Sequence, residues 1–164
     1  MKKGVIFLFL VGTLTCFSQN SLVNVLKKYN KNEVSYIMPD QLNPDNPKLI
    51  LLDARENKEY QVSHIKNAKE VGYKHFDLKR TEALIPNKTS NIVVYCTIGV
   101  RSENIATKLK KAGYSNVFNL YGGIIEWKNK KHLVYNKQNK LTDSIHTFSK
   151  PWGKWLTNGI SVYD

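Results

Sequence analysis

The residue types best suited to chemistry lie together around Cys96. The apolar run 92–95 leads into this cysteine, and an amphipathic helical pattern begins at Arg101 and Ser102. Four residues separate the cysteine from the arginine: Thr97, Ile98, Gly99 and Val100. This order is typical of a buried strand, a tight loop and the beginning of a helix. Backbone N–H groups of the loop and the positive end of the helix dipole would favour a thiolate, so Cys96 is a candidate nucleophile.

Cys96 also has a plainer interpretation, because a cysteine at the end of an apolar run is often a small buried hydrophobe. The sequence contains two cysteines, Cys16 and Cys96. If a signal peptide containing the first is removed, the mature chain keeps a single thiol, which excludes an internal disulfide and a cysteine-based metal cluster. The histidines show no metal-ligand spacing, so neither a metal nor a cofactor is predicted: His64, His75, His132 and His146.

The first residues predict export. Lys2 and Lys3 precede an apolar run from Val5 to Leu14, which is typical of a signal peptide and short for a membrane-spanning helix. We assign residues 1–19 to the signal peptide and expect a periplasmic location. Lipid attachment at Cys16 is the alternative, although the residues before it match a lipidation motif poorly.

Length and charge narrow the function classes. A chain of 164 residues suggests one domain with a substantial core. The net charge of +12 could attract nucleic acid, anionic lipid or small anions. The lysines are scattered, no run of five basic residues occurs, and no nucleic-acid-binding motif accompanies them. We therefore predict small anionic ligands, no nucleic acid and no stable membrane span; the oligomeric state cannot be predicted.

Strand and helix patterns alternate along the chain, which predicts an α/β fold with a largely parallel sheet. Candidate strands are short apolar runs at 34–38, 49–52, 70–73, 92–95 and 117–120. Helical patterns cover 21–29, 55–60, 75–85, 102–112 and 124–128. Ser21 and Ser102 are predicted N-caps, and Gly113 ends the helix that Ser102 begins. Asp53 and Cys96 both follow strands, at the sheet edge where ligands bind in such folds.

Three motifs in the correct order resemble the rhodanese (sulfurtransferase) family over roughly residues 34–130. The first motif runs from Leu52-Asp53-Ala54-Arg55 through Glu59-Tyr60 to His64-Ile65-Lys66-Asn67-Ala68. The second is the loop Cys96-Thr97-Ile98-Gly99-Val100-Arg101-Ser102, and the third is Leu120-Tyr121-Gly122-Gly123 with Trp127. Ser63 and Asn67 depart from the family pattern, which commonly has glycine at both positions. Asparagine tolerates left-handed backbone geometry better than most residues, so Asn67 is the milder change.

The resemblance implies a five-stranded parallel sheet flanked by helices on both faces, and a two-step sulfurtransferase reaction. The Cys96 thiolate would take a sulfane sulfur from a small anionic donor such as thiosulfate and pass it from a persulfide to a thiol or cyanide. Loop N–H groups from about Thr97 to Ser102 would stabilise the sulfur, and Arg101 would bind the donor's anionic end or form a structural pair with a carboxylate. We predict supporting roles for six further residues: Asp53, Arg55, Glu59, His64, Gly122 and Gly123. Asp53 would accept hydrogen bonds from loop amides, Arg55 and Glu59 would pair, and the glycines would supply turn geometry.

Two other functions compete with this prediction. Cysteine phosphatases and arsenate reductases place five residues between cysteine and arginine, whereas four intervene here. A non-catalytic binding module would usually lack the cysteine, which this chain retains; a role mainly in partner binding or in carrying a persulfide stays open as the alternative. The predicted organisation is a signal peptide at 1–19, a helical lead-in at 20–33, a rhodanese-like domain at 34–133 and a C-terminal extension at 134–164. Because that extension is rich in aromatic residues, we expect it to pack on the domain.

Overall fold

The structure is a computed structural model that describes residues 22–164. The predicted signal peptide, the candidate lipid-attachment residue Cys16 and the predicted N-cap Ser21 lie outside the described residues. Within residues 22–164, no helix has the length and apolar content needed to cross a bilayer.

A five-stranded parallel sheet forms the centre of the molecule. Its strands are β1 (Ser35–Ile37), β2 (Leu49–Asp53), β3 (Lys69–Glu70), β4 (Asn91–Tyr95) and β5 (Asn116–Leu120). They lie in the order β1-β5-β4-β2-β3, and every neighbouring pair is parallel. The prediction of a five-stranded parallel sheet is therefore confirmed. Asp53 at the end of β2 pairs in register with Tyr95 at the end of β4, so the residues that follow these strands meet at one edge.

Helices cover both faces of the sheet, as predicted. They are α1 (Leu22–Tyr29), α2 (Asn57–Val62), α3 (Leu78–Leu84), α4 (Val100–Lys111), α5 (Gly123–Asn129) and α6 (Lys150–Gly153), with a 3₁₀ turn at Pro39–Gln41. Ile105 and Leu109 of α4 pack on one face of the sheet. Ile124 and Trp127 of α5 pack on the other, where Trp127 is buried as expected. Because both faces are covered, β2 and β4 are continuous apolar runs rather than alternating ones.

The beginning of α4 corrects one prediction. Ser102 is not the N-cap: Gly99 takes that position with φ +104°, and the helix begins at Val100, two residues earlier than expected. Glycine adopts this left-handed geometry at low cost because it has no Cβ. Ser102 instead lies inside the first turn with its side chain buried. At the other end, Gly113 follows the last helical residues with φ +93°, as the sequence predicted.

Three other boundaries differ from the sequence pattern. The helix predicted from residue 75 begins at Leu78, where the Asp77 side chain accepts a hydrogen bond from the N–H of Arg80 and caps the helix. The strand predicted at 70–73 is the shorter β3. The helix predicted from Arg55 begins at Asn57, after the N-cap Glu56, so Arg55 lies in the preceding extended segment.

The C-terminal extension contains two small strand pairs. Strands β6 (Val134–Tyr135) and β7 (Leu141–Thr142) are antiparallel, whereas β8 (Ser144–His146) and β9 (Ile160–Val162) are parallel. The side chains of Trp152, Trp155 and Leu156 pack against the core on the α5 face. The extension therefore brings aromatic side chains to the same side of the sheet as α5.

Candidate functional site: a cysteine at the floor of an aromatic pocket

Cys96 lies immediately after the central strand β4, at the carboxyl edge of the sheet. Its Sγ accepts a hydrogen bond from the backbone N–H of Gly99 at 3.2 Å. The loop then enters α4 at Val100, so the sulfur lies near the positive end of a twelve-residue helix. Both features stabilise negative charge on sulfur. The side chain is only 1% exposed, so a reagent reaches it through the pocket described below.

The loop is held in place by the beginning of α5. The backbone N–H groups of Ile124 and Ile125 donate to the carbonyl oxygens of Cys96 (2.9 Å) and Thr97 (3.2 Å). Gly123 has φ +56°, and a Cβ there would lie 2.3 Å from the Cys96 carbonyl oxygen. No side chain fits in that space. Gly123 is therefore required for the close approach of α5 to the cysteine loop.

A network of polar side chains fixes the Gly99 peptide. The Gly99 carbonyl oxygen accepts hydrogen bonds from Nδ2 of Asn119 (2.8 Å) and Nδ2 of Asn30 (3.0 Å). Ser102 Oγ donates to Asn119 Oδ1 at 2.7 Å and lies 3.5 Å from Cys96 Sγ. These contacts hold the Gly99 N–H toward the sulfur. The sequence interpretation missed both asparagines; the signal for Asn119 was a polar residue between Phe118 and Leu120 in strand β5.

Arg101 forms a two-bond ion pair with Glu59. Its Nη1 and Nη2 donate to Glu59 Oε2 (2.8 Å) and Oε1 (2.7 Å), and Nη2 also donates to Thr97 Oγ1 at 2.8 Å. The Glu59 side chain is fully buried, and that of Arg101 is 16% exposed. Burial alone would raise the pKa of Glu59. The hydrogen bonds and positive charge of Arg101, together with the positive charge of Arg55, instead lower the Glu59 pKa below its ordinary value. Burial alone would lower the pKa of Arg101, but its interactions with Glu59 and Cys96 raise that pKa above the ordinary value.

A second buried ion pair joins Asp53 and Arg55. Arg55 Nη2 lies 2.6 Å from Asp53 Oδ2, and the Arg55 backbone N–H donates to Asp53 Oδ1 at 2.9 Å. The predicted pairing of Arg55 with Glu59 is therefore wrong, because Arg55 precedes helix α2 and turns back toward the strand end. Asp53 accepts these bonds from Arg55 rather than from amides of the cysteine loop, so that expectation is wrong too. Burial opposes the Arg55 charge, but Asp53 keeps the pKa of Arg55 above its ordinary value.

The remaining residues of the first motif lie away from the sulfur. The Ser63 carbonyl oxygen accepts a hydrogen bond from Arg55 Nη2 at 2.6 Å. His64 stacks on Tyr60 with 4.1 Å between ring centroids, and its Nδ1 lies 3.2 Å from the Tyr60 carbonyl oxygen. Asn67 has φ +62°, the left-handed geometry that asparagine tolerates. None of these residues lines the pocket over Cys96. The supporting role of His64 stays a prediction.

A pocket of about 280 Å³ opens above the cysteine. Its floor, hereafter the pocket floor, is formed by residues of the cysteine loop and α4: Cys96, Thr97, Ile98, Val100 and Arg101. Its side, hereafter the aromatic wall, is formed by Tyr29 from the end of α1 and by Phe148 and Trp152 from the C-terminal extension. The structure thus combines the cysteine loop with distant parts of the chain.

The aromatic wall has its own local support. The Phe148 ring lies over the Arg101 guanidinium at 5.2 Å, and its backbone N–H donates to His146 Nδ1 at 3.1 Å. Phe148 takes φ +69°, an uncommon geometry for a bulky residue, which directs the chain back across the pocket. Trp152 contacts Trp155 with 5.2 Å between ring centroids. The sequence interpretation placed these aromatic residues on the domain but not at the site, because the extension has little periodicity.

The arrangement suits nucleophilic chemistry by a thiolate in a pocket lined mostly by apolar and aromatic side chains. In residues 22–164, no group of three or more histidine, cysteine, aspartate or glutamate side chains is placed to bind a metal ion. The chain itself supplies the polar surroundings of the sulfur: the Gly99 N–H donates to it, the Ser102 hydroxyl oxygen lies 3.5 Å away, and α4 begins beside it.

Comparisons with known proteins agree with this geometry. A family model described as Rhodanese-like domain matches residues 40–130. A tRNA uridine(34) hydroxylase from Photorhabdus laumondii is 39% identical over 100 residues, which cover 58% of this chain and 28% of that protein. A protein of the same name from Aster yellows witches'-broom phytoplasma is 44% identical over 84 residues, or 27% of its length. The chain therefore spans less than a third of these curated relatives.

Solved structures share the fold. A rhodanese-related protein from Thermoplasma volcanium aligns with a TM-score of 0.52 and 24% identity, over 61% of this chain and 96% of that one. A thiosulfate sulfurtransferase from Pseudomonas aeruginosa aligns with a TM-score of 0.58 and 22% identity, over 75% of this chain and 23% of that one. At these identities the likeness establishes the fold alone. The family match covers the pocket floor, whereas all three residues of the aromatic wall lie outside it.

Proposed function

The chain belongs to the rhodanese-like domain family, and from that premise we propose that it is a sulfurtransferase that carries sulfane sulfur as a persulfide on Cys96. The observation that carries the proposal is the environment of Cys96 Sγ. The sulfur accepts the Gly99 N–H at 3.2 Å at the beginning of α4 and lies at the pocket floor. A hydrogen-bond donor and a helix N-terminus at the sulfur suit a cysteine that attacks sulfur as the thiolate.

The reaction has two steps. In the first, the Cys96 thiolate attacks the outer sulfur of a donor; a sulfur–sulfur bond forms at Sγ, and the donor's remaining part leaves with the electron pair. With thiosulfate the products are the Cys96 persulfide anion and sulfite. In the second step an acceptor, cyanide in the assay or a thiol, attacks the persulfide's outer sulfur, and the Cys96 thiolate is released. The same N–H donor and helix dipole stabilise the thiolate and the persulfide.

Arg101 has a proposed role in binding the donor's anionic end. The residue lines the pocket, which supports this role, but Glu59 occupies two of its N–H groups. Arg101 would therefore act through the guanidinium edge and charge that remain toward the pocket. The Thr97, Ile98 and Val100 side chains carry no charge and would add shape to the pocket floor.

The experiment is turnover of thiosulfate and cyanide to thiocyanate by purified protein, with Cys96→Ser as the matched variant. Serine preserves size and removes the sulfur, so the proposal expects thiocyanate formation only in the natural protein. Circular dichroism and thermal unfolding establish that the variant is folded. Activity that survives the substitution would contradict the proposal, as would no turnover with thiosulfate, a persulfide or a thiosulfonate as donor.

The alternative functions have distinct readouts. A non-catalytic binding module would neither turn over sulfur nor form a persulfide. A cysteine phosphatase or arsenate reductase would hydrolyse an aryl phosphate or reduce arsenate, which the four-residue spacing between Cys96 and Arg101 disfavours. The match to the tRNA uridine(34) hydroxylases covers less than a third of their length, so we do not extend hydroxylation of tRNA to this chain.

Export to the periplasm remains part of the proposal and rests on the sequence pattern of the first 19 residues. Expression of the full sequence in a Gram-negative host, followed by intact mass of the periplasmic fraction, tests it. The proposal expects a chain shortened near residue 19. A full-length cytoplasmic product would contradict export without affecting the proposed chemistry.

A further inference from the structure

The aromatic wall is the part of the site that neither the family match nor the proposed reaction explains. Tyr29 lies before the matched range 40–130, and Phe148 and Trp152 lie after it. Two separate segments of the chain therefore bring aromatic rings to one pocket over Cys96. Transfer of a bare sulfur atom requires no such rings, which indicates a role in selecting what enters.

The wall is part of a connected structure rather than a loose tail. Strand β8 ends at His146, whose Nδ1 accepts the Phe148 N–H, and the Thr147 N–H donates to the Val162 carbonyl oxygen of β9 at 2.7 Å. At the other side, Asn129 Nδ2 at the end of α5 donates to the Trp155 carbonyl oxygen at 2.8 Å. These bonds fix the position of the rings relative to the pocket floor, as a binding surface requires.

The charge at the pocket does not favour a small dianion. Arg101 is the basic residue among the eight that line the pocket. Its guanidinium is paired with the fully buried Glu59, bonded to Thr97 Oγ1 and covered on one face by Phe148. A thiosulfate dianion that entered the pocket would lose water and gain contacts with aromatic and aliphatic side chains. The one cation available to it is already paired with Glu59, so two negative charges would be poorly compensated there.

The size of the pocket is suited to a ring. An apolar cavity of roughly 150 Å³ holds a benzene molecule. The pocket over Cys96 has a volume of about 280 Å³, which leaves room for a ring and a group that bears the transferred sulfur. Side chains such as Ile98 and Val100 complete an apolar lining around the aromatic wall.

Resting on the proposed function, we propose that the preferred donor is an organic sulfane-sulfur compound, with at most one negative charge, whose leaving part carries an apolar group of about the size of an aromatic ring. Phe148 and Trp152 are its specificity-determining residues. The ring of the donor packs against the aromatic wall while its outer sulfur reaches Cys96. The wall thus replaces charge recognition by apolar contact.

An aryl thiosulfonate, R–SO₂–S⁻, represents this class and reacts in a balanced step. The Cys96 thiolate attacks the terminal sulfur, a bond forms between Sγ and that sulfur, and the bond to the sulfonyl sulfur breaks. The sulfinate R–SO₂⁻ leaves with the electron pair, and Cys96 holds the persulfide anion. The total charge is unchanged, and no external oxidant or reductant is consumed.

The experiment compares three probes: benzenethiosulfonate, methanethiosulfonate and thiosulfate. The rate of persulfide formation on the full chain is followed by intact mass, and each rate is divided by that of the same probe with N-acetylcysteine to remove intrinsic reactivity. The aryl-to-methyl ratio is then measured for the natural protein, Phe148→Ala, Trp152→Ala and Tyr163→Ala. Tyr163 is an exposed aromatic residue of the same extension that does not line the pocket, so it is the matched control.

We expect the normalised rate to be highest for benzenethiosulfonate and the aryl-to-methyl ratio to fall about tenfold in the Phe148 and Trp152 variants, since apolar pocket contacts discriminate on that scale. Tyr163→Ala should keep the natural ratio. Equal ratios in all four proteins, or a higher normalised rate with thiosulfate, would overturn the inference while leaving sulfur transfer intact. Persulfide formation with none of the probes would instead refute the proposed function.

Discussion

The pocket floor and the aromatic wall differ in how the chain builds them. The floor comes from one short segment that runs from the end of a buried strand into the first turn of α4, and all of it falls within the family match. The wall comes from segments more than 110 residues apart, Tyr29 and the Phe148–Trp152 region, and lies outside that match. Cys96, Thr97 and Ile98 of the floor are buried, whereas Tyr29 and Phe148 of the wall are 55% and 49% exposed.

The proposed chemistry and the proposed selection of the donor therefore belong to different regions of the pocket. The floor must hold one sulfur atom against one N–H donor, so it is fixed by close backbone packing, a buried polar network and a buried ion pair. The wall must contact whatever accompanies the sulfur, and it is fixed by fewer and more exposed contacts. A site of this kind can change its donor through the wall while the floor stays the same. Substitutions in the two regions should therefore differ in both size and kind of effect.

The largest effect is expected for Gly123→Ala in the support of the floor. The new Cβ would lie 2.3 Å from the Cys96 carbonyl oxygen at φ +56°. We expect a loss of about 3 kcal/mol or more in the free energy of unfolding and loss of persulfide formation, because overpacking adds to the cost of a left-handed residue. Urea denaturation and intact mass measure the two effects.

Gly113→Ala is the matched control for this substitution. Gly113 also has a positive φ, +93°, but a Cβ there would meet nothing within 4 Å. The backbone cost alone is about 1 kcal/mol, and the site should be unaffected. Equal losses in the two variants would mean that the close approach of α5 to the cysteine loop has no special role.

The next largest effect is expected for Glu59→Gln. Removing the carboxylate leaves the largely buried Arg101 charge without its partner, and breaking a buried pair costs about 3 kcal/mol. The exposed pair of Lys88 and Glu82 is the control, since Glu82→Gln should cost less than about 1 kcal/mol. The free energy of unfolding in urea at pH 7 measures both. Equal costs would contradict the view that Glu59 anchors the pocket floor.

The same pair predicts the direction of a pH effect. Glu59 has a pKa below its ordinary value of 4.5 in the folded protein. Because the unfolded chain binds the proton more readily, the stabilisation is fully present above about pH 4.5 and is lost as the pH falls through the lowered folded pKa. The stability difference between the natural protein and Glu59→Gln should be constant from pH 7 to pH 5.5 and shrink toward pH 3. A difference that grows at low pH would have the wrong sign.

The smallest effect is expected at the wall. Phe148→Leu keeps an apolar side chain but removes the aromatic ring that lies over Arg101. The guanidinium carbon of Arg101 is 5.2 Å from the centroid of this ring, and Phe148 is half exposed. The free energy of unfolding should fall by less than about 1 kcal/mol. Urea denaturation of Phe148→Leu and Glu59→Gln under the same conditions compares the two losses in the free energy of unfolding. A loss as large as that of the floor variant would show that the wall is structural rather than selective.

Much of the fold could be predicted because it depends on local patterns. The apolar runs that became β2 and β4 are bounded by Asp53 and Cys96, and parallel strands bring both residues to one edge. The amphipathic stripe of α4 identified the helix, although its first turn was displaced because Gly99, rather than Ser102, adopts the capping geometry. Periodicity locates elements well and their ends less well.

The ion pairs could not be predicted from spacing. Arg55 and Glu59 are four residues apart, a separation that suits a pair within a helix, but α2 begins only at Asn57. Each residue therefore pairs elsewhere: Arg55 with Asp53 and Glu59 with Arg101, 42 positions away. The aromatic wall could not be predicted from the sequence for a similar reason, because no pattern in the C-terminal extension indicates that Phe148 contacts Arg101. Contacts between distant segments depend on tertiary packing.

Sulfur transfer through a Cys96 persulfide is tested most directly by the intact mass of the natural protein and of Cys96→Ser after incubation with a sulfane-sulfur donor. A gain of about 32 Da, one sulfur, is expected in the natural protein alone. The gain should be reversed by dithiothreitol and located on the peptide that contains Cys96. An unchanged mass with thiosulfate, thiosulfonate and persulfide donors, or the same gain in Cys96→Ser, would contradict sulfur transfer through Cys96.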